Sequence, residues 1–152
     1  MIQLQEIISQ EENKSDSINL SLKNNTLWKR RVNLFRLIYA FLQTNNTDQE
    51  IINNIEEDEI SGETFIDQRK ILTNIVDNYN TYKEIISSNL RNWTFDRISD
   101  VDKALFLCAL GEYNVLHTNK RIIIDQTLIT AKRYSNPNAY KYINAILDKI
   151  LK

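Results

Sequence analysis

The sequence predicts an all-α protein with about seven helices. Glycine and proline are scarce, with two glycines and one proline in 152 residues, whereas sandwiches and barrels need many tight turns built from these residues. Apolar residues recur at helical spacing in several segments, and no segment gives a convincing strand pattern. With 42% apolar and 26% charged residues, the chain has the composition of a folded protein with one domain.

The first part of the chain is predicted to be an arm followed by one strong helix. Residues 2–11 could form a short helix, and residues 12–26, rich in Asn and Ser, are predicted to be a linker. Residues 1–26 would then be an N-terminal extension. Residues 27–43 carry an apolar stripe at helical spacing, which predicts an amphipathic helix with this face in the core. The stripe consists of Leu27, Leu34, Phe35, Ile38, Phe41 and Leu42.

The middle of the chain shows one short acidic segment and one long helical one. Asp48 can cap a short acidic helix that runs to about Glu57, and Ser61 and Gly62 are predicted to break the chain after it. Apolar and aromatic residues then keep a helical period across residues 63–90. One long helix or two shorter helices would fit this pattern.

The second half is predicted to contain three helices around a central one. Ser99 opens a sequence with the spacing of a capping box, which places a helix start there, and the helix to about Leu116 is apolar on nearly every side. A helix packed on several sides has this pattern. Another helix is predicted from about residue 120 to 134, and Asn136–Pro137 is expected to cap and start the last one.

Charges are segregated along the chain, although the net charge is only −1. Residues 27–47 carry four bases and no acid, residues 48–68 carry eight acids and no base, and residues 119–152 carry seven bases against two acids. The overall charge therefore hides two basic regions that could converge in three dimensions. Solvated helix faces are the alternative explanation for any one of these regions.

Residues suited to catalysis or metal binding are few. The chain has one cysteine, Cys108, and one histidine, His117, so it lacks the ligands for a metal cluster and the partners for a nucleophile. No glycine-rich motif that could hold a phosphate is present. We therefore expect no enzyme, no metal and no cofactor. With no secretory signal and no long apolar run, the protein is expected to be cytoplasmic.

Glu112 falls at the centre of an apolar helix face and is predicted to be a buried charge. Removing one member of a buried ion pair costs roughly 3 to 5 kcal/mol, so such a carboxylate needs a partner. Lys132 or Arg133 are the candidate partners, and the predicted structural pair is Glu112 with Lys132. A catalytic role for Glu112 is the alternative, but no second titratable group lies at a recognisable spacing.

The last third of the chain holds three ordered motifs: VDKALFLCALGE at residues 101–112, IDQTLITAK at residues 124–132 and KYINAILD at residues 141–148. Together they resemble the NusB family of transcription antitermination factors. The first predicted helix resembles the arginine-rich first helix of the family more loosely. Leu27 and Trp28 stand where the family has two leading arginines, Val32 and Gln126 each replace a glutamate, and an extension of about 25 residues is unusual.

The resemblance implies a fold of two packed helical bundles, with sub-bundles at about residues 27–90 and 91–152. It implies binding of single-stranded RNA of the ribosomal RNA leader type together with a small ribosomal protein. The complex would help RNA polymerase to resist termination. Members of the family occur as monomers and as homodimers, and the sequence does not distinguish the two. If RNA affinity is lost, a non-catalytic protein-interaction module is the alternative function.

The expected RNA-binding residues lie on the first helix, where a basic surface with aromatic neighbours could hold a backbone and stack unpaired bases. They are Trp28, Lys29, Arg30, Arg31 and Arg36. The family's contact surface for its protein partner corresponds to Tyr39 and Asp102. Trp28 and Tyr39 could instead pack against the neighbouring bundle, and Asp102 could instead cap the central helix.

Overall fold

The computed structural model describes residues 22–44 and 63–152 of the chain. These residues form six α-helices and a short 3-10 helix, Phe95–Arg97, and no strand occurs among them. The all-α prediction is therefore confirmed. The helices are α1 (Leu22–Thr44), α2 (Glu63–Asp77), α3 (Tyr79–Ser88), α4 (Asp100–Leu116), α5 (Lys120–Tyr134) and α6 (Tyr140–Ile150).

Helix α4 is the centre of the fold, as its apolar pattern predicts. It contacts each of the other five helices, and nine of its residues are buried. The Ser99 hydroxyl accepts a hydrogen bond from the backbone N–H of Asp102 at 3.1 Å, which satisfies one of the free donors at the helix start. At the other end His117 adopts the left-handed conformation, with φ 55°, and ends the helix.

Gly111 lets α2 approach α4 closely. A Cβ atom at this position would lie 2.6 Å from Cγ1 of Ile75 and 2.9 Å from Cγ2 of Ile71. Both isoleucines are buried, so neither can move away easily in a densely packed interior. A glycine at position 111 is therefore part of how these two helices fit together.

Helix α1 begins at Leu22 rather than at Leu27. The prediction of a linker to residue 26 is therefore wrong for residues 22–26, because a polar stretch can equally be the start of a helix. The apolar face of α1 enters the core as expected through Leu34, Phe35 and Ile38, and Val32, which is not part of the predicted stripe, is buried as well. The predicted helices at residues 2–11 and 48–57, and the break at 61–62, lie outside the described residues.

The long helical segment after residue 62 forms two helices, α2 and α3, with the break at Asn78. Hydrogen bonding continues across the break, since the Asn78 N–H donates to the Asn74 carbonyl at 3.0 Å. The Tyr82 hydroxyl donates to the side-chain carbonyl of Asn74 and accepts from the side-chain amide of Asn114 at 3.0 Å. This buried tyrosine therefore connects α2, α3 and α4.

Helix α6 begins later than predicted. The Asn136 side chain accepts from the Asn138 N–H at 3.0 Å, and the Asn136 carbonyl accepts from the Ala139 N–H at 2.8 Å. Residues 136–139 therefore form a turn, and Asn136 does not cap the helix. The buried apolar residues of all the helices form one cluster, and the division into sub-bundles at about residues 27–90 and 91–152 stays a prediction.

Across the described residues, no helix is long and apolar enough to cross a membrane. Residues 22–44 and 63–152 also hold no group of three His, Cys, Asp or Glu side chains arranged to bind a metal ion.

Candidate nucleic-acid interface

One side of α1 carries a basic surface. Lys29 is exposed and Arg36 is half-buried, and their separation of seven residues, about two turns, places them on the same side of the helix. The guanidinium of Arg36 lies within 3.5 Å of the side-chain carbonyl of Asn33. Lys29 and Arg36 thus lie about two turns apart on the side of α1 opposite the buried face.

The C-terminal end of α5 lies against this part of α1. The guanidinium of Arg133 lies 5.2 Å from the centre of the Trp28 ring, within range for a cation–π interaction. Two turns along α1, the rings of Phe35 and Tyr134 stack with their centres 5.5 Å apart and an angle of 13° between their planes. These contacts place the C-terminal end of α5 against the flank of α1 that carries Trp28 and Phe35, about 100° around the helix from Lys29 and Arg36.

Arg133 is a candidate RNA-binding residue that was not named individually among the expected ones, although it belongs to the basic C-terminal region. The segregation of charge suggested that two basic regions could converge, but it did not identify the residue that joins them. The neighbouring Lys132 is exposed, and its ammonium lies 5.4 Å from the centre of the Tyr140 ring. Together we call Trp28, Lys29, Arg36, Lys132 and Arg133 the α1–α5 surface.

Arg31 does not lie on this surface, although the sequence analysis expected it to bind RNA. Its guanidinium donates two parallel hydrogen bonds to Glu112 of α4, Nε to Oε1 and Nη2 to Oε2, both at 3.0 Å. The side chains are 23% and 9% exposed, respectively. Such a bidentate pair fixes both groups, so Arg31 is occupied by an internal contact in this conformation.

This ion pair corrects the predicted partner of Glu112. Glu112 is buried as expected, but its partner is Arg31, 81 residues earlier in the chain, and the pairing with Lys132 is wrong.

The charge of Glu112 also acts on Cys108, one turn earlier on α4. Burial raises the pKa of the Cys108 thiol, and the Glu112 carboxylate raises it further.

Arg30 lies on the other flank of α1. Its backbone carbonyl accepts a hydrogen bond from the side-chain amide of Gln68 on α2 at 2.9 Å, and its side chain is half-buried. Because residues 28 and 30 are about 200° apart around the helix, Arg30 and Trp28 point to opposite flanks. The five expected RNA-binding residues of α1 are therefore not on one face.

Asp102 has an internal role that differs from the expected contact with a protein partner. It is 6% exposed, and its carboxylate accepts hydrogen bonds from the Ser135 hydroxyl at 2.5 Å and from the Tyr142 hydroxyl. Burial raises the pKa of Tyr142, and the bond to Asp102 raises it further. Asp102 thus ties α4 to the end of α5 and to α6. Its contact with a protein partner stays a prediction.

Tyr39 is half-buried near the α1–α5 surface. Its ring centre lies 6.3 Å from that of Phe35, with an angle of 38° between the rings, and it packs against the hydrophobic core. The packing role considered for this residue is therefore present. Its role in binding a protein partner stays a prediction.

The family model and the relatives that match this sequence all belong to one protein family. The model of the NusB family matches residues 28–152. Transcription antitermination protein NusB of Clostridium botulinum is 34% identical over 116 residues, which cover 73% of this chain and 86% of the relative. The protein of the same name from Fusobacterium nucleatum is 28% identical over 131 residues, covering 80% of this chain and 86% of the relative.

Solved structures show the same fold. The T. maritima NusB structure aligns with a TM-score of 0.72 and 24% identity, covering 82% of this chain and 89% of that chain. A chain in a structure described as the crystal structure of a plectonemic RNA supercoil aligns with a TM-score of 0.70 and 20% identity, covering 81% and 91% of the two chains. At these identities the similarity concerns the fold alone. The matched family model and the named relatives show that the chain belongs to the NusB family.

Proposed function

We propose that this protein is an RNA-binding transcription antitermination factor that binds ribosomal RNA leader elements together with a small ribosomal protein. Through this complex it would act on RNA polymerase indirectly, in the cytoplasm. Membership of the NusB family confirms the expectation that the protein is not an enzyme. The relatives named as antitermination proteins support the functional class, and the α1–α5 surface supports binding of RNA.

The observation that carries the proposal is the contact between Arg133 and Trp28. It places a cation from the C-terminal end of α5 on an aromatic ring of α1, although the two residues are 105 positions apart in the chain. Cations can neutralise the phosphates of a single strand, and aromatic rings can stack its bases. Lys29 and Lys132, the sequence neighbours of Trp28 and Arg133, are both exposed and supply further cations on α1 and α5.

The test is fluorescence-anisotropy binding to a short ribosomal-leader RNA, with and without the small ribosomal protein, across a salt series. A scrambled RNA is the control for sequence preference. We expect binding that depends on sequence and is strengthened by the protein partner. A Lys29→Ala/Arg36→Ala variant should bind more weakly, and its salt slope should be shallower by about 1.4, because each phosphate contact on a single strand contributes about 0.7.

The matched control for this variant is Lys70→Ala. Lys70 is an exposed base on α2 and is not part of the α1–α5 surface, so its loss should leave affinity and slope close to those of the unaltered protein. Binding no better than to the scrambled RNA, even with the partner present, would contradict the proposal.

A second candidate function is a non-catalytic interaction module with little RNA affinity. The observation that favours it is the ion pair between Arg31 and Glu112, since it removes one expected cation from the RNA-binding surface. Tight binding of the ribosomal protein without any effect of RNA would support this candidate over the first one.

A further inference from the structure

A groove of about 950 Å³ lies at the end of the molecule formed by residues 89–101, the turn after α5, and α6. Its volume is at the upper end of the range for ligand-binding pockets. Leu90, Ile98, Val101 and Ile146 line it with apolar side chains. This groove leaves no local signal in the sequence, because its walls come from segments that are far apart in the chain.

The rim of the groove carries an exposed indole and three cations. Trp93 is 58% exposed, the largest fraction among the exposed large apolar side chains of the described residues. Arg91, Arg97 and Lys149 line the groove and are exposed. None of these three side chains forms an ion pair with a described residue. The single acid in the lining, Asp102, already accepts two hydroxyl hydrogen bonds.

We infer that this groove binds an unstacked nucleotide of the single-stranded RNA, with its base on Trp93 and its phosphates beside Arg91, Arg97 and Lys149. This inference rests on the proposed RNA-binding function and extends its site beyond α1 and α5. Three uncommitted cations around an apolar groove complement a ligand that is both anionic and flat. The side-chain amides of Asn136 and Asn138, which also line the groove, offer donors and acceptors to a base edge.

The position of the groove also fits a continuous path for one strand. Tyr134 and Ser135 belong to its lining, while Tyr134 stacks on Phe35 of α1. The preceding residue, Arg133, lies on Trp28. The groove therefore starts where the α1–α5 surface ends, and a strand bound there can continue into it.

Intrinsic fluorescence gives a direct test, because the chain has only two tryptophans, Trp28 and Trp93. In a Trp28→Phe variant of the full chain, all indole emission comes from Trp93. We expect a single-stranded ribosomal-leader RNA to quench this emission, with saturation at the RNA concentration that saturates the anisotropy signal. An abasic oligomer of the same length should bind more weakly and should not quench, since it lacks the base that stacks.

Variants of the rim test the same inference through affinity. Trp93→Ala should weaken RNA binding by about 5- to 150-fold, the usual effect of losing one stacked base, whereas Trp93→Phe should retain most of the affinity. Arg97→Ala should lower the salt slope by about 0.7, and Lys70→Ala is its matched control. Because Trp93 and Arg97 are exposed, circular dichroism should show an unchanged fold in each variant.

Each outcome supports or overturns the inference. Unchanged Trp93 emission while the anisotropy reports RNA binding would overturn it and leave the proposed function in place. No RNA binding in any form would overturn both. Quenching by an acidic peptide of the same length, with displacement of the RNA, would assign the groove to a protein segment and overturn its assignment to RNA.

Discussion

Removing one partner of the ion pair between Arg31 and Glu112 should destabilise the protein strongly. Glu112→Leu leaves the Arg31 guanidinium without its partner in a mostly buried position. Breaking a buried pair costs roughly 3 to 5 kcal/mol, and since 23% of the Arg31 side chain remains exposed, partial hydration should reduce this to about 2 to 4 kcal/mol. Total stabilities of domains are about 5 to 15 kcal/mol, so the variant should be clearly destabilised.

The double variant Arg31→Met/Glu112→Leu separates the pair from the packing around it. Replacing a buried ion pair by apolar side chains of similar volume is often close to neutral, so the double variant should lie within about 2 kcal/mol of the unaltered protein. The free energy of unfolding would be measured by urea denaturation followed by circular dichroism. The double-mutant cycle should give a coupling energy of about 2 kcal/mol or more.

This cycle also decides whether Arg31 contributes to RNA binding. If Arg31 is engaged by Glu112, the double variant should keep the RNA affinity and the salt slope of the unaltered protein. Additive losses of stability in the cycle would refute the reasoning about the pair. A strong loss of RNA affinity in a folded double variant would return Arg31 to the RNA-binding surface.

Three further predictions concern α4 and its end. Gly111→Ala should destabilise the protein by about 1 kcal/mol net. Crowding of Ile75 costs about 1 to 3 kcal/mol, while alanine recovers about 1 kcal/mol of helix propensity. A raised midpoint of thermal unfolding would contradict this prediction. The raised pKa of Cys108 means that above pH 9, the ordinary value for its thiol, the unfolded chain releases a proton that the native state keeps. The free energy of unfolding should therefore fall with rising pH, by about 1.4 kcal/mol at pH 10 from this group. Urea titrations at pH 8 and pH 10 should show a smaller loss of stability in Cys108→Ala than in the unaltered protein. Equal losses in the two proteins would rule out the thiol as the cause. His117→Gly should stabilise the protein by about 0.5 to 1 kcal/mol, because glycine adopts the left-handed conformation of this position without a steric cost. His117→Ala should give no such gain in thermal denaturation.

Local sequence signals predicted the helices well where caps and periodicity agreed. Ser99 marked the start of α4, and the apolar residues on nearly every side of that helix indicated its central position. The start of α1 was placed too late because composition does not distinguish a linker from a polar first turn of a helix. Asn–Pro can either cap a helix or begin a turn, and the sequence alone does not distinguish the two. The prediction of a cap at Asn136 is therefore wrong, because the hydrogen bonds of residues 136–139 form a turn.

The candidate site was predicted less well, because pairing between distant helices leaves no local signal. The need of Glu112 for a cation followed from the apolar face around it, but several bases in the sequence could satisfy that need. The choice of Arg31 depends on how α1 packs on α4. Asp102 was treated as a cap or a partner contact, while its hydroxyl donors, Ser135 and Tyr142, come from residues more than 30 positions away.

The central claim is that RNA binds the surface shared by α1 and α5, and amide chemical-shift mapping by NMR tests it most directly. The isotope-labelled protein would be titrated with a single-stranded leader RNA of about 12 nucleotides, within the usual site size for such proteins. The largest shifts should fall at residues 28–36 and at Lys132 to Ser135. Shifts confined to other parts of the chain, with these two segments unchanged in the presence of saturating RNA, would contradict the account.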